Sequence, residues 1–165
     1  MDNKTSTKER AAVFEDIVRQ HSLMITKVCY YFATGISELK DLRQDVLLNI
    51  WMGLDKFRNE SRTSTWIYRV CFNTCITYQR KNKQRKQEVP LSSVLEIVDD
   101  NFDMERYTEM HRLIGRLASD EKAMILMWLD ENSYEEIAAV VGLNRNTVAT
   151  RLKRIKEKLV KMSNE

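Results

Sequence analysis

Residues 133–152 read Ser133-Tyr134-Glu135-Glu136-Ile137-Ala138-Ala139-Val140-Val141-Gly142-Leu143-Asn144-Arg145-Asn146-Thr147-Val148-Ala149-Thr150-Arg151-Leu152. Their first four residues have the S-x-x-E spacing of a capping box, in which the Ser133 hydroxyl and the Glu136 carboxylate satisfy each other's free helix-end amides. Ile137 and Val141 give this short helix an inner face, and Ala138 is small enough for close packing. Gly142 suits a turn, Leu143 can plug the corner, and Asn144 can cap a second helix. In that second helix Val148, Leu152, Ile155 and Leu159 lie within a stripe about 60° wide. Asn146, Thr150 and Lys153 point directly away from it, with Thr147 and Arg154 alongside. A short helix, a glycine turn and a second helix with a polar, basic outer face make a helix-turn-helix. Such a second helix enters the major groove through its N-terminal residues, where amide, hydroxyl and guanidinium groups read base edges. An ordinary helical hairpin would share the inner stripe, but the coincidence of cap, glycine, plug and outward face favours DNA.

Moving towards the N-terminus, Ser119 is placed to cap a helix with Asp120 and Glu121 in its first turn, where the helix dipole favours them. Its interior, Ala123-Met124-Ile125-Leu126-Met127-Trp128-Leu129, is hydrophobic all round and predicts the buried centre of this module. A helix over about Met104–Leu117 opens the module. Between 87 and 103 periodicity fails around Pro90, Ser92-Ser93 and Asp99-Asp100-Asn101, which predicts an interdomain linker with room for a short helical turn at Val94–Val98.

The N-terminal module is a second set of helices. Over about Arg10–Phe32 the residues Phe14, Ile17, Val18, His21, Ile25, Val28 and Phe32 share one stripe, so His21 reads as core-facing. Thr34-Gly35 ends that helix, and Ser37 is a plausible N-cap for the next, about Glu38–Leu54. There Leu39, Leu42, Val46 and Ile50 form the core stripe. The opposite side carries Asp41, Gln44, Leu48, Met52 and Asp55, flanked by Asp45 and Trp51. An apolar patch rimmed by carboxylates on an outer face is the footprint of a partner, or else of a helix buried on both sides. The third helix, about Thr65–Lys81, places Ile67, Cys71, Phe72, Cys75 and Tyr78 on one side. Arg69, Asn73, Thr77 and Arg80 lie on the other, with Trp66 near its start. A basic, amide-bearing stripe beside a Trp suits phosphates and unstacked bases. The run Arg80–Lys86 adds five cations in seven residues, which alone would pass for a solvated tail but here extends the stripe.

Composition narrows the function classes. The chain has 165 residues, 43% hydrophobic and 31% charged, long enough to bury a core and too apolar for a disordered polyelectrolyte. Four Gly and one Pro argue against a turn-rich β-sandwich or a glycine-loop nucleotide fold. The expected class is therefore all-α: two small helical domains, the C-terminal one with a helix-turn-helix. No apolar run reaches the length of a membrane span, and the N-terminus has no signal-peptide core, so the expectation is a cytoplasmic protein without membrane insertion. A net charge of +3 conceals segregation: +7 over residues 1–87, −7 over 88–132 and +3 over 133–165. Two basic ends can meet a polyanion at two places, although solvated helix faces are also charged.

Candidate chemistry is sparse. Cys29, Cys71 and Cys75 form neither an even disulfide set nor a zinc pattern, and Cys71 and Cys75, at i,i+4 on an apolar face, read as core thiols rather than a thiol or metal sensor. His21 and His111 have no partners at metal spacing. No nucleophile–base pair, phosphate loop or metal cluster emerges, so no enzyme, no catalytic residue, no metal and no cofactor is expected.

Taken together, the two modules resemble the extracytoplasmic-function group of bacterial sigma factors. In the first module the resemblance rests on Asp41–Trp51, Phe57, Thr65-Trp66-Ile67-Tyr68-Arg69-Val70, Asn73 and the basic run. In the second it rests on Ser133–Ala138, Gly142-Leu143-Asn144, Thr147-Val148, Arg151-Leu152 and Arg154. A helix-turn-helix alone is shared by many regulators; the ordered pair joined by a linker is far more specific.

The resemblance implies a division into residues 1–86 (sigma region 2), 87–104 (linker) and 105–165 (sigma region 4). Asp41, Gln44, Asp45, Leu48, Asn49 and Met52 would dock on the clamp helices of the β′ subunit of core RNA polymerase, and region 4 would meet the β flap. Asn59, Ser61, Arg62, Trp66, Arg69, Asn73 and Arg80 would melt and hold the minus-ten element of promoter DNA. Arg145, Asn146, Thr147, Thr150, Arg151, Lys153 and Arg154 would contact the minus-thirty-five element. The acidic linker would thread through the polymerase near nascent RNA, and an anti-sigma factor is the implied restraining partner. Thr63, Ala118, Asn146 and Ala149 depart from residues common in the family, so promoter preference does not carry over. The competing class is a free-standing helix-turn-helix regulator, with the N-terminal module serving dimerisation or an effector; it would bind DNA tightly without polymerase.

Overall fold

The computed structural model describes residues 2–57, 61–82 and 104–165. Among these the secondary structure is entirely helical: α1 (Asp2–Phe32), α2 (Ile36–Gly53), a 3-10 turn (Leu54–Lys56), α3 (Thr63–Lys81), α4 (Met104–Gly115), α5 (Ser119–Leu129), α6 (Tyr134–Val141) and α7 (Arg145–Ser163). Residues 87–103 of the expected linker, with the turn at Val94–Val98, lie outside the described residues, and Met104 already begins α4.

The first three helices pack pairwise around Ile25, Val28, Phe32, Leu42, Val46, Ile50, Ile67, Cys71 and Cys75, all buried. Each comes from the stripe that periodicity of 3.6 placed inward, and each such side chain contributes about 1.5–3 kcal/mol on burial. Arg43 of α2 fastens the bundle by donating to Thr26 Oγ1 (3.1 Å) and Ser22 Oγ (3.3 Å) on α1. Around α5 the second domain buries Ile114, Met124–Met127, Ile137, Val148, Leu152 and Ile155.

Local expectations are corrected in several places. The first helix begins eight residues before Arg10, and His21 is only half-buried at the edge of its stripe. Ser37 does not cap α2: the N-cap is Gly35 in extended backbone, and the Thr34 hydroxyl donates to Glu38 Oε2 at 2.8 Å. Ser119 does not cap α5 either. That cap is Ala118, whose N–H donates to Glu121 Oε1 at 3.3 Å, which leaves the Ser119 hydroxyl free to donate to Gln79 Oε1 of the other domain. At the end of α5, Trp128 and Leu129 are partly exposed, with Lys156 Nζ over the Trp128 ring at 4.4 Å.

The two domains touch. In the structure α3 packs on α6 and α1 on α4. At the centre of this seam Tyr68 donates to Asp130 Oδ2 at 2.7 Å and accepts from Asn132 Nδ2 at 3.3 Å, while Lys27 pairs with the other Asp130 oxygen.

Candidate functional site

Three surfaces carry the sequence-predicted residues. On α2, Asp41, Gln44, Asp45, Leu48 and Met52 are exposed together, Leu48 by 54% and Met52 by 55%. The α2 face is thus not buried within the bundle. Two neighbours leave this patch. Asn49 turns to α3, donating to Thr74 Oγ1 at 2.9 Å, and Thr74 in turn donates to the Val70 carbonyl. Trp51 is covered from α1: the Arg10 guanidinium lies 4.5 Å over its ring and Phe14 meets its edge at 5.3 Å. Arg10 also pairs with Asp55 at 3.0 Å.

Between α2 and α3 runs a cleft of about 620 Å³, lined by Asp45, Leu48, Asn49, Asn73, Thr77 and Lys81 among others. Asn73 and Arg80 are exposed on α3, as the wheel placed them. Trp66 is half-buried: its ring stacks on Phe57 (4.7 Å, 21°), and a Cβ at Gly53 would meet it at 3.0 Å. Phe57 therefore covers one face of the ring. Asn59 lies outside the described residues, and Ser61 is partly buried just before α3. Arg62 and Arg69 point to the other domain. Arg62 approaches Glu136 at 3.4 Å, and Arg69 donates twice to the Ala139 carbonyl, from Nε at 3.1 Å and Nη2 at 2.7 Å.

The helix-turn-helix forms as its sequence predicts. Ser133 Oγ accepts from the Glu136 N–H at 3.1 Å, and Gly142 adopts the left-handed conformation (φ 73°). Asn144 Oδ1 accepts from the Thr147 N–H at 2.8 Å, and Leu143 tucks against the core. The Ser133 half of the capping box is made, while the Glu136 carboxylate faces Arg62 of the other domain. Asn146, Thr150, Arg151, Lys153 and Arg154 are exposed on α7, Thr147 is partly so, and a shallow groove joins Asn144, Asn146, Thr150, Arg151 and Arg154. Arg151 pairs with Asp120 at 3.1 Å, and Arg145 pairs with Glu135 at 2.6 Å; a hydrogen bond from its own backbone N–H and then the Arg145 guanidinium hold the Glu135 carboxyl below its usual range. Pairs this exposed exchange readily for phosphate.

The thiols are buried as core residues. Burial pushes Cys71 up, and Cys75 is pushed up by its hydrogen bond to Cys29 and by burial. Among the described residues no cluster of His, Cys, Asp and Glu is suited to a metal, and no helix is long and apolar enough to cross a membrane. Sequence reasoning missed the seam residues Tyr68, Lys122, Asp130 and Ala139, which carry no local signal.

Residues 17–85 match Sigma-70 region 2 and residues 107–159 match Sigma-70, region 4. The chain is 30% identical to the ECF RNA polymerase sigma-E factor of Escherichia coli K12 over 159 residues, covering 86% of this chain and 81% of that protein. It is 28% identical to the ECF RNA polymerase sigma factor SigW of Bacillus subtilis, with 90% and 87% covered. The same fold occurs in the sigma factor RpoE of Bartonella quintana, solved with the anti-sigma factor NepR (TM-score 0.74, 19% identity, 92% and 96% covered), and in CnrH, solved with the cytosolic domain of CnrY (TM-score 0.71, 22% identity, 93% and 89% covered). The chain belongs to the extracytoplasmic-function sigma factors, which direct RNA polymerase to promoters for transcription initiation.

Proposed function

We propose that the exposed α2 face, Asp41, Gln44, Asp45, Leu48 and Met52 with Asn49 behind it, docks on the β′ clamp helices of core RNA polymerase. One observation carries this: two large apolar side chains stand more than half exposed among carboxylates and an amide, in a helix whose other face is fully packed. Domain boundaries at 1–86 and 105–165, with 87–104 as linker, follow from the same reading. The α3 surface (Ser61, Arg62, Trp66, Arg69, Asn73 and Arg80, with Asn59 ahead of it) then holds the unpaired minus-ten strand. The outer face of α7 (Arg145, Asn146, Thr147, Thr150, Arg151, Lys153 and Arg154) takes the minus-thirty-five element while its domain meets the β flap. Chemistry belongs to the polymerase and the chain works in the cytoplasm. That two structural neighbours were solved with partners, one a named anti-sigma factor, supports a restraining partner of that kind here.

Size-exclusion co-elution with sigma-free core polymerase tests the docking face. Near one-to-one co-elution is expected for the native chain, and Asp45→Lys should abolish it while leaving the helical circular-dichroism spectrum intact. Unchanged binding would remove polymerase docking from α2.

A further inference from the structure

The start of the α3 strand face is set by the turn ahead of it. The chain leaves α2 through the 3-10 turn Leu54–Lys56, which begins on one acceptor: the Trp51 carbonyl receives the Leu54 N–H. The same carbonyl receives Arg10 Nη2 from α1. Arg10 Nη1 pairs with Asp55 inside the turn at 3.0 Å, and the guanidinium lies over the Trp51 ring, whose edge Phe14 also meets. One planar guanidinium thus grips the turn at two points, which fixes direction as well as distance. The end of a helix favours a cation there, because its last carbonyls lack partners inside the helix.

What the turn carries is one wall of the strand site. Phe57, its C-cap, donates its N–H to the Leu54 carbonyl at 3.3 Å and stacks on Trp66 of α3. Gly53, the last residue of α2, leaves room for that ring, since a Cβ there would meet it at 3.0 Å. Trp66 is therefore held between the end of α2 and the residue that follows the turn, so a shift of the turn is a shift of the ring. Arg10 itself stands apart from the core. The buried part of α1 begins at Ile17, and the Arg10–Asp55 pair, with side chains 29% and 69% exposed, contributes little to stability. Arg10 also lies ahead of the residues that match region 2.

We propose that Arg10 is a positioning residue for the minus-ten strand: from α1 it holds the Trp51 carbonyl and Asp55, and so sets the Phe57–Trp66 stack against which an unpaired base is caught. The proposal rests on the assignment of α3 to that strand. It gives the first turns of α1 a task in holding the opened promoter and none in polymerase docking, because Arg10 grips the turn while Leu48 and Met52 remain exposed on α2. Releasing the turn misplaces one aromatic ring, and one base–aromatic stack corresponds to about tenfold in strand affinity.

Two measurements separate the position of the ring from the binding of the strand. In the full chain carrying Trp51→Phe and Trp128→Phe, Trp66 is the one remaining tryptophan, and acrylamide quenching of its fluorescence reads how far its ring is covered. Arg10→Met keeps the stem and removes both grips, so it should raise that quenching. In holoenzyme with core polymerase, the same change should weaken binding of a fifteen-residue oligo-dT about tenfold by anisotropy, binding by core alone being subtracted. Arg10→Lys should restore part of both signals, since an ammonium serves one anchor at a time. Asp55→Asn, at an exposed position, should move both the same way by less. Arg43→Ala undoes the clasp between α1 and α2 without touching the turn; it should lower the urea midpoint and leave both signals native. Equal changes in Arg43→Ala would reduce Arg10 to general stability and overturn its role. So would native quenching in both Arg10→Met and Asp55→Asn. A ring freed by Arg10→Met with strand affinity intact, while Trp66→Ala weakens the strand, would overturn positioning and leave the α3 assignment standing. If Trp66→Ala has no effect on the strand either, the α3 assignment fails and takes the proposal with it.

Discussion

At Gly142 the φ of 73° sets the turn between the two helices of the DNA-reading unit, and a Cβ there would meet no atom within 4 Å. The cost of Gly142→Ala is therefore backbone strain alone, about 1–2 kcal/mol; urea denaturation should show a loss of that size with native secondary structure retained. Arg151 presents the opposite balance. Its ion pair with Asp120 is exposed and contributes little to stability, yet its guanidinium lines the α7 groove. Arg151→Ala should leave the unfolding midpoint and polymerase co-elution almost unchanged while reducing promoter-directed transcription in a reconstituted assay. Loss of polymerase binding instead would reverse the roles of the two domains. Such residues were legible because what decides them is local: a glycine two residues before a cap, a cation on the outer face of an amphipathic helix.

At the scale of elements, the caps separate what periodicity and spacing could anticipate from what they could not. Ser133 and Asn144 cap the helices their positions predict, since hydroxyl or amide, spacing and apolar stripe all lie within one turn. Ser133→Ala and Asn144→Ala should each cost about 1 kcal/mol of stability. Only Asn144→Ala should also weaken binding of promoter duplex by polymerase holoenzyme, because Asn144 alone of the two borders the α7 groove. Gel-shift titration against Ser133→Ala, matched in stability, separates the effects. By contrast Ser37 and Ser119 have the right chemistry and do not cap. Gly35 in extended backbone starts α2, and the Glu121 carboxylate serves the Ala118 amide, which frees Ser119 for Gln79 of the other domain. The exposure of Trp51 and Trp66 was hidden for a related reason: a helical wheel assigns them a direction, but Arg10 and Phe57, outside the same helix, cover part of their rings. Three of the four polar residues of the α2 set, Asp41, Gln44 and Asp45, stand exposed beside Leu48 and Met52, so that patch was the most legible part of the candidate site.

At the scale of the whole molecule the seam joins residues 40 to 103 positions apart, such as Gln79 with Ser119 and Lys27 with Asp130, and no short window of sequence could reveal it. It also confers a pH response whose sign follows from two groups. Burial lowers the pKa of His111 from 6.5, outweighing the carbonyls of Ala33 and Tyr30 that act the other way, and the nearby Lys122 cation adds to the lowering. Burial likewise lowers Lys122 from 10.5, against the opposing influence of Cys75 and Glu38, both in the other domain. In the folded chain each group thus favours its neutral form more than it does in solvent. For His111 the native state is fully supported above pH 6.5 and loses that support as pH falls through the lowered pKa, because the unfolded chain then takes up the proton more readily. Lys122 acts in the same direction at higher pH, its contribution growing as pH rises towards 10.5. The urea midpoint should therefore decline as pH is taken from 7.5 to 5, the His111 share of the loss being centred below 6.5. His111→Gln keeps a donor for the Tyr30 and Ala33 carbonyls but cannot titrate, so its midpoint should decline less over that range. A decline of equal size in the glutamine variant would assign the response to other groups and leave His111 a purely geometric cap on α1.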